Sequence, residues 1–310
     1  MRKPLWAGLA AATLLVSAAC TGAPEETPTG SSSSPAAALT VGSPTLDSAT
    51  SAESQIVAEI YAGALVAAGV PATTTPNVGP RETYLKALKD GTADVVPDYS
   101  GSLLAHVDPQ ASEDSADDIY KALTGRLPEG LAVLEASKAE SKDAMVVTKL
   151  TAEKYQLKSI EDLAKVCKDL AMAAPNTFEA RPDGLRGLKA DYGCEFKAFK
   201  PSADGGGNQT LLALLTDDVQ VADIYTTMPS IADNDLVVLE DPKNNFKAQQ
   251  VLPVYNKEKL TDKAKDALNA VSRLLTTEDL VDLNRAVSGS QKQNPKDAAA
   301  AWLKDEGIVT

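Results

Sequence analysis

The sequence predicts an α/β protein built from two lobes, and three observations support this prediction. From Leu39 onward, short apolar runs typical of strands alternate with longer segments of helical periodicity. Glycine and proline mark most boundaries between these segments. A second block, which starts near Asp143, repeats the same order of strands and helices. Alternating units of this kind form largely parallel sheets, in which ligands bind beyond the carboxyl ends of the strands.

The first block begins with the strand LTVGS and the helix TSAESQIVAEIYAGALVAAGVP. Thr50 and Glu53 fit a capping box at the start of this helix, and Gly69 with Pro71 predicts its end. A second helix, RETYLKALKD, is followed by the strand ADVVP and by a helix that includes SLLAHV. These assignments place Tyr99 where a strand meets a helix, at the carboxyl edge of the predicted sheet.

The second block predicts a similar succession of strands and helices. Its predicted strands are DAMVVT, DLAMAAP, CEFKAF, VQVADIY and DLVVLEDP. Its predicted helices are SIEDLAKV, RPDGLRGLKADYG and NQTLLALL, and TTMPSIAD is a turn. One more strand, QQVLPVYN, precedes three C-terminal helices, DKAKDALNAVSRLL, TEDLVDLNRAV and KDAAAAWLKDEG.

Two segments of equal length correspond between the blocks. ALKDGTADVVPDY (87–99) and ALLTDDVQVADIY (213–225) share an initial Ala-Leu, a central valine and a final tyrosine. Small hydroxyl residues follow both tyrosines. Two lobes with facing strand ends would therefore place Tyr99 and Tyr225 on opposite walls of one cleft.

The N-terminus, MRKPLWAGLAAATLLVSAAC, has a basic start and an apolar run too short to span a membrane. Residues 1–19 therefore predict a secretory signal peptide and an extracytoplasmic mature protein. The small residues before Cys20 resemble a bacterial lipobox, although Ser17 stands where leucine is preferred. This resemblance implies that a lipidated Cys20 anchors the protein to the outer face of the cell membrane; plain cleavage is the alternative. Residues 20–38, rich in Pro, Ser, Thr and Gly, predict a flexible linker.

Composition and motifs argue against several function classes. The formal net charge of −13 disfavours nucleic-acid binding. The single histidine, His106, suits a surface or capping role, and the sequence has no G-x-S-x-G elbow or cysteine–histidine zinc pattern. DGGGN (204–208) predicts a loop that lets backbone approach a ligand, and the acidic runs at 113–118 and 240–242 predict solvated surface. We therefore expect no enzyme, no metal and no cofactor.

Cys167 and Cys194 remain once Cys20 is set aside. An even pair in an oxidising compartment indicates one disulfide, with two buried free thiols as the alternative.

Several motifs together resemble one family. The following segments carry the resemblance: IVAEIYAGAL, VGPRETYLKALKDG, VVPDYSGSLL, ARPDGLRGLKADYG, VADIYTTMPSIAD and LVVLEDPKNNF. They are similar to segments of substrate-binding proteins of osmoprotectant ABC transporters, the glycine betaine/choline/carnitine group. The resemblance extends over nearly all of residues 39–309. It implies a type II periplasmic-binding-protein fold, with lobe 1 formed by 39–142 and 248–310 and lobe 2 by 143–247.

The resemblance also implies a ligand site. Tyr99 and Tyr225 match tyrosines that surround a quaternary ammonium group, whose charge is attracted by aromatic faces. Ser102 matches a hydroxyl contact in the first turn of a helix, where N–H groups favour anions. Arg181 matches the arginine that binds a ligand carboxylate, and Thr226 flanks Tyr225.

The sequence departs from the family at other site positions. Pro44 stands where relatives often have lysine, and Asp143 and Gln249 stand near positions of other cage aromatics. Asp143 could instead pair with a cation, and Phe178 and Phe246 are near enough in sequence to contribute. The remaining tyrosines are predicted to be structural: Tyr61, Tyr84, Tyr120, Tyr155, Tyr192 and Tyr255.

These inferences predict a monomeric, lipid-anchored receptor that closes on a small quaternary-ammonium or zwitterionic solute and delivers it to an ABC permease. Two alternatives remain open. One is a receptor of the same fold for another polar, polyhydroxylated or aromatic ligand, and the other is a sensor or interaction lipoprotein without a transport role.

Overall fold

The structure, a computed structural model, describes residues 37–45, 50–202, 204, 206–288 and 292–309. The predicted signal peptide, Cys20 and all but the last two residues of the predicted linker lie outside these ranges. Among the described residues, no helix is long and apolar enough to cross a membrane.

The chain first forms most of one lobe. Its elements are β1 (Leu39–Gly42), α1 (Thr50–Ala67), β2 (Ala72–Thr75), α2 (Arg81–Asp90), β3 (Val95–Tyr99), α3 (Ser100–Val107), α4 (Ala116–Arg126) and β4 (Leu131–Val133). The second lobe then contains β5 (Met145–Val147), α5 (Lys149–Tyr155), α6 (Ile160–Ala164), β6 (Ala171–Pro175), α7 (Leu185–Gly187), β7 (Ala198–Ser202), α8 (Asn208–Leu215), β8 (Val221–Asp223), α9 (Ser230–Asp233) and β9 (Val237–Val238). The chain returns to the first lobe with β10 (Val251–Asn256), α10 (Asp262–Leu274), α11 (Thr277–Ser288) and α12 (Pro295–Asp305).

The two lobes contain five-stranded sheets of matching topology. The strand orders are β2-β1-β3-β10-β4 and β7-β6-β8-β5-β9. In each sheet the one antiparallel strand is the first strand formed after the chain crosses from the other lobe, β10 or β5. The sheets are otherwise parallel, so β3 corresponds to β8. The segments 87–99 and 213–225 therefore occupy equivalent positions in the two sheets.

Both faces of each sheet are covered by apolar clusters. In lobe 1, Val95 and Tyr99 of β3 face the cluster formed with α1 and the C-terminal helices. Val96 faces the opposite cluster, with residues of α2, α3 and α4, because successive side chains of a strand alternate between faces. In lobe 2, Met172 of β6 packs in one apolar cluster and Ala173 packs in the cluster on the opposite face of the sheet.

Several elements differ from the sequence expectations. The predicted helix over 181–193 begins only at Leu185 and ends as a π-helical turn, Leu188–Tyr192. The strand predicted at 194–199 begins at Ala198, because Cys194 forms a disulfide with Cys167 and Lys197 N–H donates to the carbonyls of Cys167 and Leu170.

Five of the elements described above were not predicted, and each has a weak local signal. β2 is an edge strand that contains only alanine and threonine, β4 has three residues, and α5 has seven. α9 has four residues and lies in the segment TTMPSIAD, which was predicted to be a turn. α4 begins inside the acidic run 113–118, which was interpreted only as solvated surface. Ser115 is its N-cap and accepts a hydrogen bond from Asp118 N–H, so acidic residues occupy the favourable first turn of a helix.

Candidate functional site

A cavity of about 660 Å³ lies beside the carboxyl ends of β3 and β8. Six of the seven residues predicted to bind ligand line this cavity: Tyr99, Ser102, Asp143, Arg181, Tyr225 and Gln249. The seventh, Thr226, is not part of the lining. The two tyrosines that correspond in the sequence thus border one space, although they come from different sheets.

The lobe 1 wall is formed where β3 continues directly into α3. Gly101 allows the chain that precedes β10 to approach, because a Cβ at this position would lie 2.5 Å from the carbonyl oxygen of Ala248. Gln249 consequently reaches Ser102: its Oε1 accepts from Ser102 N–H at 3.0 Å, and its Nε2 donates to Ser102 Oγ at 2.8 Å. The helix N–H group that was predicted to favour an anion therefore already has an acceptor.

Tyr99 is both a cavity residue and a core residue. It is 6% exposed and packs in the apolar cluster beside α1, and it also lines the cavity. Its hydroxyl donates to the carboxylate of Glu53, which is 1% exposed and also accepts from Asn284 Nδ2 at 2.6 Å. Asn284 donates in addition to the carbonyl oxygen of Thr227, so this network joins the lobe 1 wall to the chain beyond β8.

Arg181 is held between two carboxylates. Its Nη1 and Nη2 donate to the two oxygens of Asp143 at 3.2 and 2.6 Å. Its Nε and Nη2 donate to the two oxygens of Asp183, both at 2.9 Å. The ring of Phe178 lies 5.5 Å from the guanidinium carbon. Burial lowers the pKa of Arg181, but the neighbouring aspartates outweigh burial and leave this pKa raised, so the group stays charged.

Close backbone packing positions the loop that carries Arg181. Gly184 passes directly against the backbone of Phe178, and no side chain would fit between them. Asn245 Nδ2 donates to the carbonyl oxygen of Asp183 at 2.7 Å and fixes the other side of the loop. Phe178 and Phe246 are buried in the lobe 2 core with ring centroids 6.2 Å apart, so they support the loop and do not line the cavity.

Thr226 binds the segment that crosses between the lobes. Its Oγ1 accepts from Lys142 N–H at 3.2 Å and donates to the carbonyl oxygen of Glu140 at 3.4 Å. The neighbouring Thr227 is hydrogen-bonded to Ser141 through their hydroxyl oxygens, 2.9 Å apart. Hydrogen bonds of Thr226 and Thr227 therefore connect the chain that follows β8 to the crossing segment.

Sequence reasoning missed a second guanidinium in the cavity wall. Arg81 lines the cavity and donates to Asp98 from Nε at 3.0 Å and from Nη2 at 2.7 Å. Asp98 also accepts from the hydroxyl of Tyr84 and from Tyr99 N–H. The alternation of side chains along β3 could have indicated this pair, because it points Asp98 away from Tyr99 and toward α2, the helix that begins with Arg81. His106, expected at the surface, is exposed but also lines the cavity.

Asp223 lies behind the lobe 2 wall. It is 2% exposed, and its Oδ1 has no hydrogen-bond partner in the part of the chain that the structure describes. Burial first, and then the negative charge of Asp143 and a hydrogen bond with it, raise the pKa of Asp223 well above its ordinary value, while Arg181 opposes this shift. Burial therefore favours the protonated form of Asp223 over the carboxylate. Its neighbour Gly206, in the glycine-rich loop 204–208, packs against the Asp223 carbonyl, and none of the described residues of this loop lines the cavity.

The raised pKa predicts a pH effect on stability. As pH rises above about 4, the unfolded chain loses the Asp223 proton while the native chain keeps it, so the stability contributed by this group falls until pH passes the native pKa. The side chain of Asp223→Asn cannot ionise, so this group no longer makes stability depend on pH. We expect the melting temperature of the variant to improve relative to wild type as pH rises above about 4 and to stop improving once pH passes the native pKa. Parallel pH profiles of the two melting temperatures would contradict this assignment.

The described residues contain no group of three His, Cys, Asp or Glu side chains placed to hold a metal ion. The cavity is instead a polar space with aromatic, hydroxyl, amide and carboxylate groups at its surface.

Proteins of known family or structure are similar to this chain. Residues 44–305 match the family model described as the substrate binding domain of ABC-type glycine betaine transport system. A glycine-betaine-binding protein of Pseudomonas aeruginosa is 27% identical over 273 residues, which cover 83% of this chain and 86% of that protein. A crystal structure described as a glycine betaine/carnitine/choline ABC transporter has a TM-score of 0.76 at 25% identity, over 87% of this chain and 99% of the other. Apo YehZ from Escherichia coli shares the fold, with a TM-score of 0.68 at 22% identity over 88% of this chain and 100% of its own.

Proposed function

Because this chain belongs to the family of substrate-binding domains of ABC-type glycine betaine transport systems, we propose that its cavity captures a small quaternary-ammonium solute for delivery to an ABC permease. The observation that carries this proposal is the placement of Tyr99 and Tyr225. Tyr99 is the last residue of β3, Tyr225 lies just beyond the equivalent strand β8, and both line one cavity. The glycine-betaine-binding relative and the family description support the same ligand class.

The chemistry of the cavity suits a cation that cannot donate hydrogen bonds. Aromatic faces attract such a cation by about 0.5 to 2 kcal/mol each, depending on how far it is desolvated. The buried carboxylate of Glu53 holds the hydroxyl of Tyr99 and adds negative charge behind its ring. The exposed Glu82 adds another carboxylate to the lining. We propose that these charges attract the solute cation to the aromatic faces, and we propose no chemical step.

We propose hinge closure about the segments that connect the two sheets. These segments pair with each other, since Glu140 and Gln250 form an isolated antiparallel bridge and Ser141 N–H donates to the carbonyl of Gln249. Gln249 also lines the cavity, so a ligand that contacts it acts directly on the connection between the lobes.

Family membership supports an extracytoplasmic location and a permease partner. We further propose that residues 1–19 are a signal peptide, that Cys20 carries a lipid, and that residues 20–38 act as a tether for a monomer. This proposal rests on the N-terminal sequence pattern alone. Labelling with a radioactive fatty acid should mark the wild-type protein and not the Cys20→Ala variant.

The proposed function predicts a specific effect of Tyr225→Ala. Loss of one aromatic face should weaken the binding of a quaternary amine by about twofold to thirtyfold, whereas Tyr225→Phe keeps the face and most of the affinity. Tyr225 is half-buried, so the apo protein should keep its melting temperature within a few degrees. Tyr99→Ala should also weaken binding, but it removes a buried core residue and should lower the apo melting temperature as well.

Calorimetric titration with choline, glycine betaine and carnitine measures these affinities. The matched control is Tyr155→Ala, which removes another half-buried lobe 2 tyrosine that does not line the cavity. Binding of none of the three amines by the wild-type protein would contradict the proposed function. Equal affinity of wild type and Tyr225→Ala would contradict the role of Tyr225.

A further inference from the structure

We propose that Asp143 and Asp183 make this cavity selective for a singly charged ammonium cation without a carboxylate, an amino alcohol of the choline type, over a zwitterion such as glycine betaine. This inference rests on the proposed function, because it assumes that a quaternary ammonium group enters the cavity. It goes beyond that function by naming the residues that choose between the two ligand classes.

Arg181 already has carboxylate partners that belong to the chain itself. A guanidinium has five N–H donors. Arg181 makes four hydrogen bonds, two to Asp143 and two to Asp183. Asp143 binds it in the bidentate manner in which an arginine would bind a ligand carboxylate. The protein therefore supplies from its own chain the carboxylates that a zwitterionic ligand would bring.

Other groups near the cavity that could bind an anion also donate their hydrogen bonds to acceptors of the chain. Nε and Nη2 of Arg81 donate to the buried Asp98. In the first turn of α3, Ser102 N–H donates to Gln249, and Ser100 N–H donates to the carbonyl of Gln250. A ligand carboxylate would have to displace a chain acceptor at each of these positions and leave it without its donor, which costs free energy.

The charges of the cavity lining and of the ion-pair partners of its two guanidinium groups favour the same ligand class. The two guanidinium groups, Arg81 and Arg181, are outnumbered by four carboxylates, Glu82, Asp98, Asp143 and Asp183. This surplus of two negative charges attracts a cation and repels a ligand carboxylate. The hydroxyl of an amino alcohol needs only a neutral or anionic acceptor, and Ser102 Oγ and the Asp183 carboxylate both line the cavity and can accept.

The test compares choline and glycine betaine by calorimetric titration of the same wild-type protein. We expect choline to bind at least tenfold more tightly than glycine betaine. Glycine betaine that binds as tightly as choline, or more tightly, would overturn this inference and leave the proposed function standing. Binding of neither probe would overturn both.

Two variants then separate the role of Arg181 from a general effect of charge. Asp183→Asn removes one carboxylate from Arg181, and Asp183 is about one-third exposed, so the fold should tolerate the change. Its ratio of choline affinity to glycine betaine affinity should fall at least fivefold. Glu82→Gln, the matched comparison, removes one negative charge from the same cavity without touching Arg181, so it should lower this ratio through charge alone and by no more than about twofold. An unchanged ratio in Asp183→Asn, or equal shifts in both variants, would overturn the proposed selectivity mechanism.

Discussion

Replacing Asp98 by alanine is expected to lower the free energy of unfolding by about 3 to 5 kcal/mol, the usual loss when one partner of a buried ion pair is removed. Asp98 is 1% exposed, and it accepts hydrogen bonds from Arg81, from the Tyr84 hydroxyl and from Tyr99 N–H. Tyr84 is fully buried, and burial, followed by the charge of Asp98, raises its pKa well above the ordinary value. Alanine would leave the guanidinium and the phenol without their acceptor. Urea unfolding followed by circular dichroism measures the loss.

The control for Asp98 lies at the end of the adjacent helix α2. Asp90 pairs with Lys86, four residues earlier, and both side chains are at least half exposed. Asp90→Ala should change the free energy of unfolding by less than about 1 kcal/mol, because exposed pairs contribute little. A loss below about 1 kcal/mol in Asp98→Ala would show that the Arg81–Asp98 pair is not structural. Arg81 without Asp98 would also place an unpaired positive charge at the cavity, so a folded variant should bind choline more weakly.

The sequence predicted the elements that position the two tyrosines, because their signals are local. α2 and α8 have the predicted limits. β3 ends at Tyr99, two residues beyond the predicted strand ADVVP, and continues directly into α3, so Tyr99 lies at the predicted junction of a strand and a helix. The correspondence of 87–99 with 213–225 could be read from the sequence since both segments contain the same helix–strand unit. The fold prediction is confirmed by the two five-stranded sheets with their helices and by the similar solved structures.

The sequence could not predict the hydrogen-bond partners in the site, because they depend on packing between distant segments. Arg181 pairs with Asp143, 38 positions away, and Glu53 pairs with Asn284, 231 positions away. The motif around Arg181 indicated a carboxylate-binding arginine, but it gave no sign that two aspartates would occupy that arginine. Thr226 was predicted to bind ligand because it follows Tyr225, but its side chain binds the crossing segment and does not line the cavity. Proximity in sequence does not decide which way a side chain points after a strand ends.

Removing the disulfide of lobe 2 should be nearly as costly as removing Asp98. Cys167 and Cys194 are buried, lie 5.5 Å apart at their Cα atoms and are separated by 27 positions. Closing a loop of that length limits the unfolded chain and stabilises the native state by about 3 to 4 kcal/mol in the chain-entropy model. The closed loop contains β6 and the segment that carries Arg181 and Asp183. We therefore expect the Cys167→Ala/Cys194→Ala variant to lose about 3 to 4 kcal/mol of unfolding free energy.

The double variant separates the cross-link from side-chain packing when it is compared with reduced wild-type protein, which keeps both sulfur atoms. If the cross-link supplies most of the stabilisation, reduction and double substitution should lower the urea midpoint by similar amounts. Lobe 2 contains both cysteines, so hydrogen exchange should accelerate in β6 and β8 and remain slow in β3 and β10 of lobe 1. Non-reducing peptide mapping that found Cys167 and Cys194 in separate peptides, or a double variant as stable as wild type, would contradict this account. A loss spread evenly over both sheets would instead mean that the lobes unfold as one unit, and the disulfide would then stabilise the lobe 1 tyrosine and the lobe 2 arginine together.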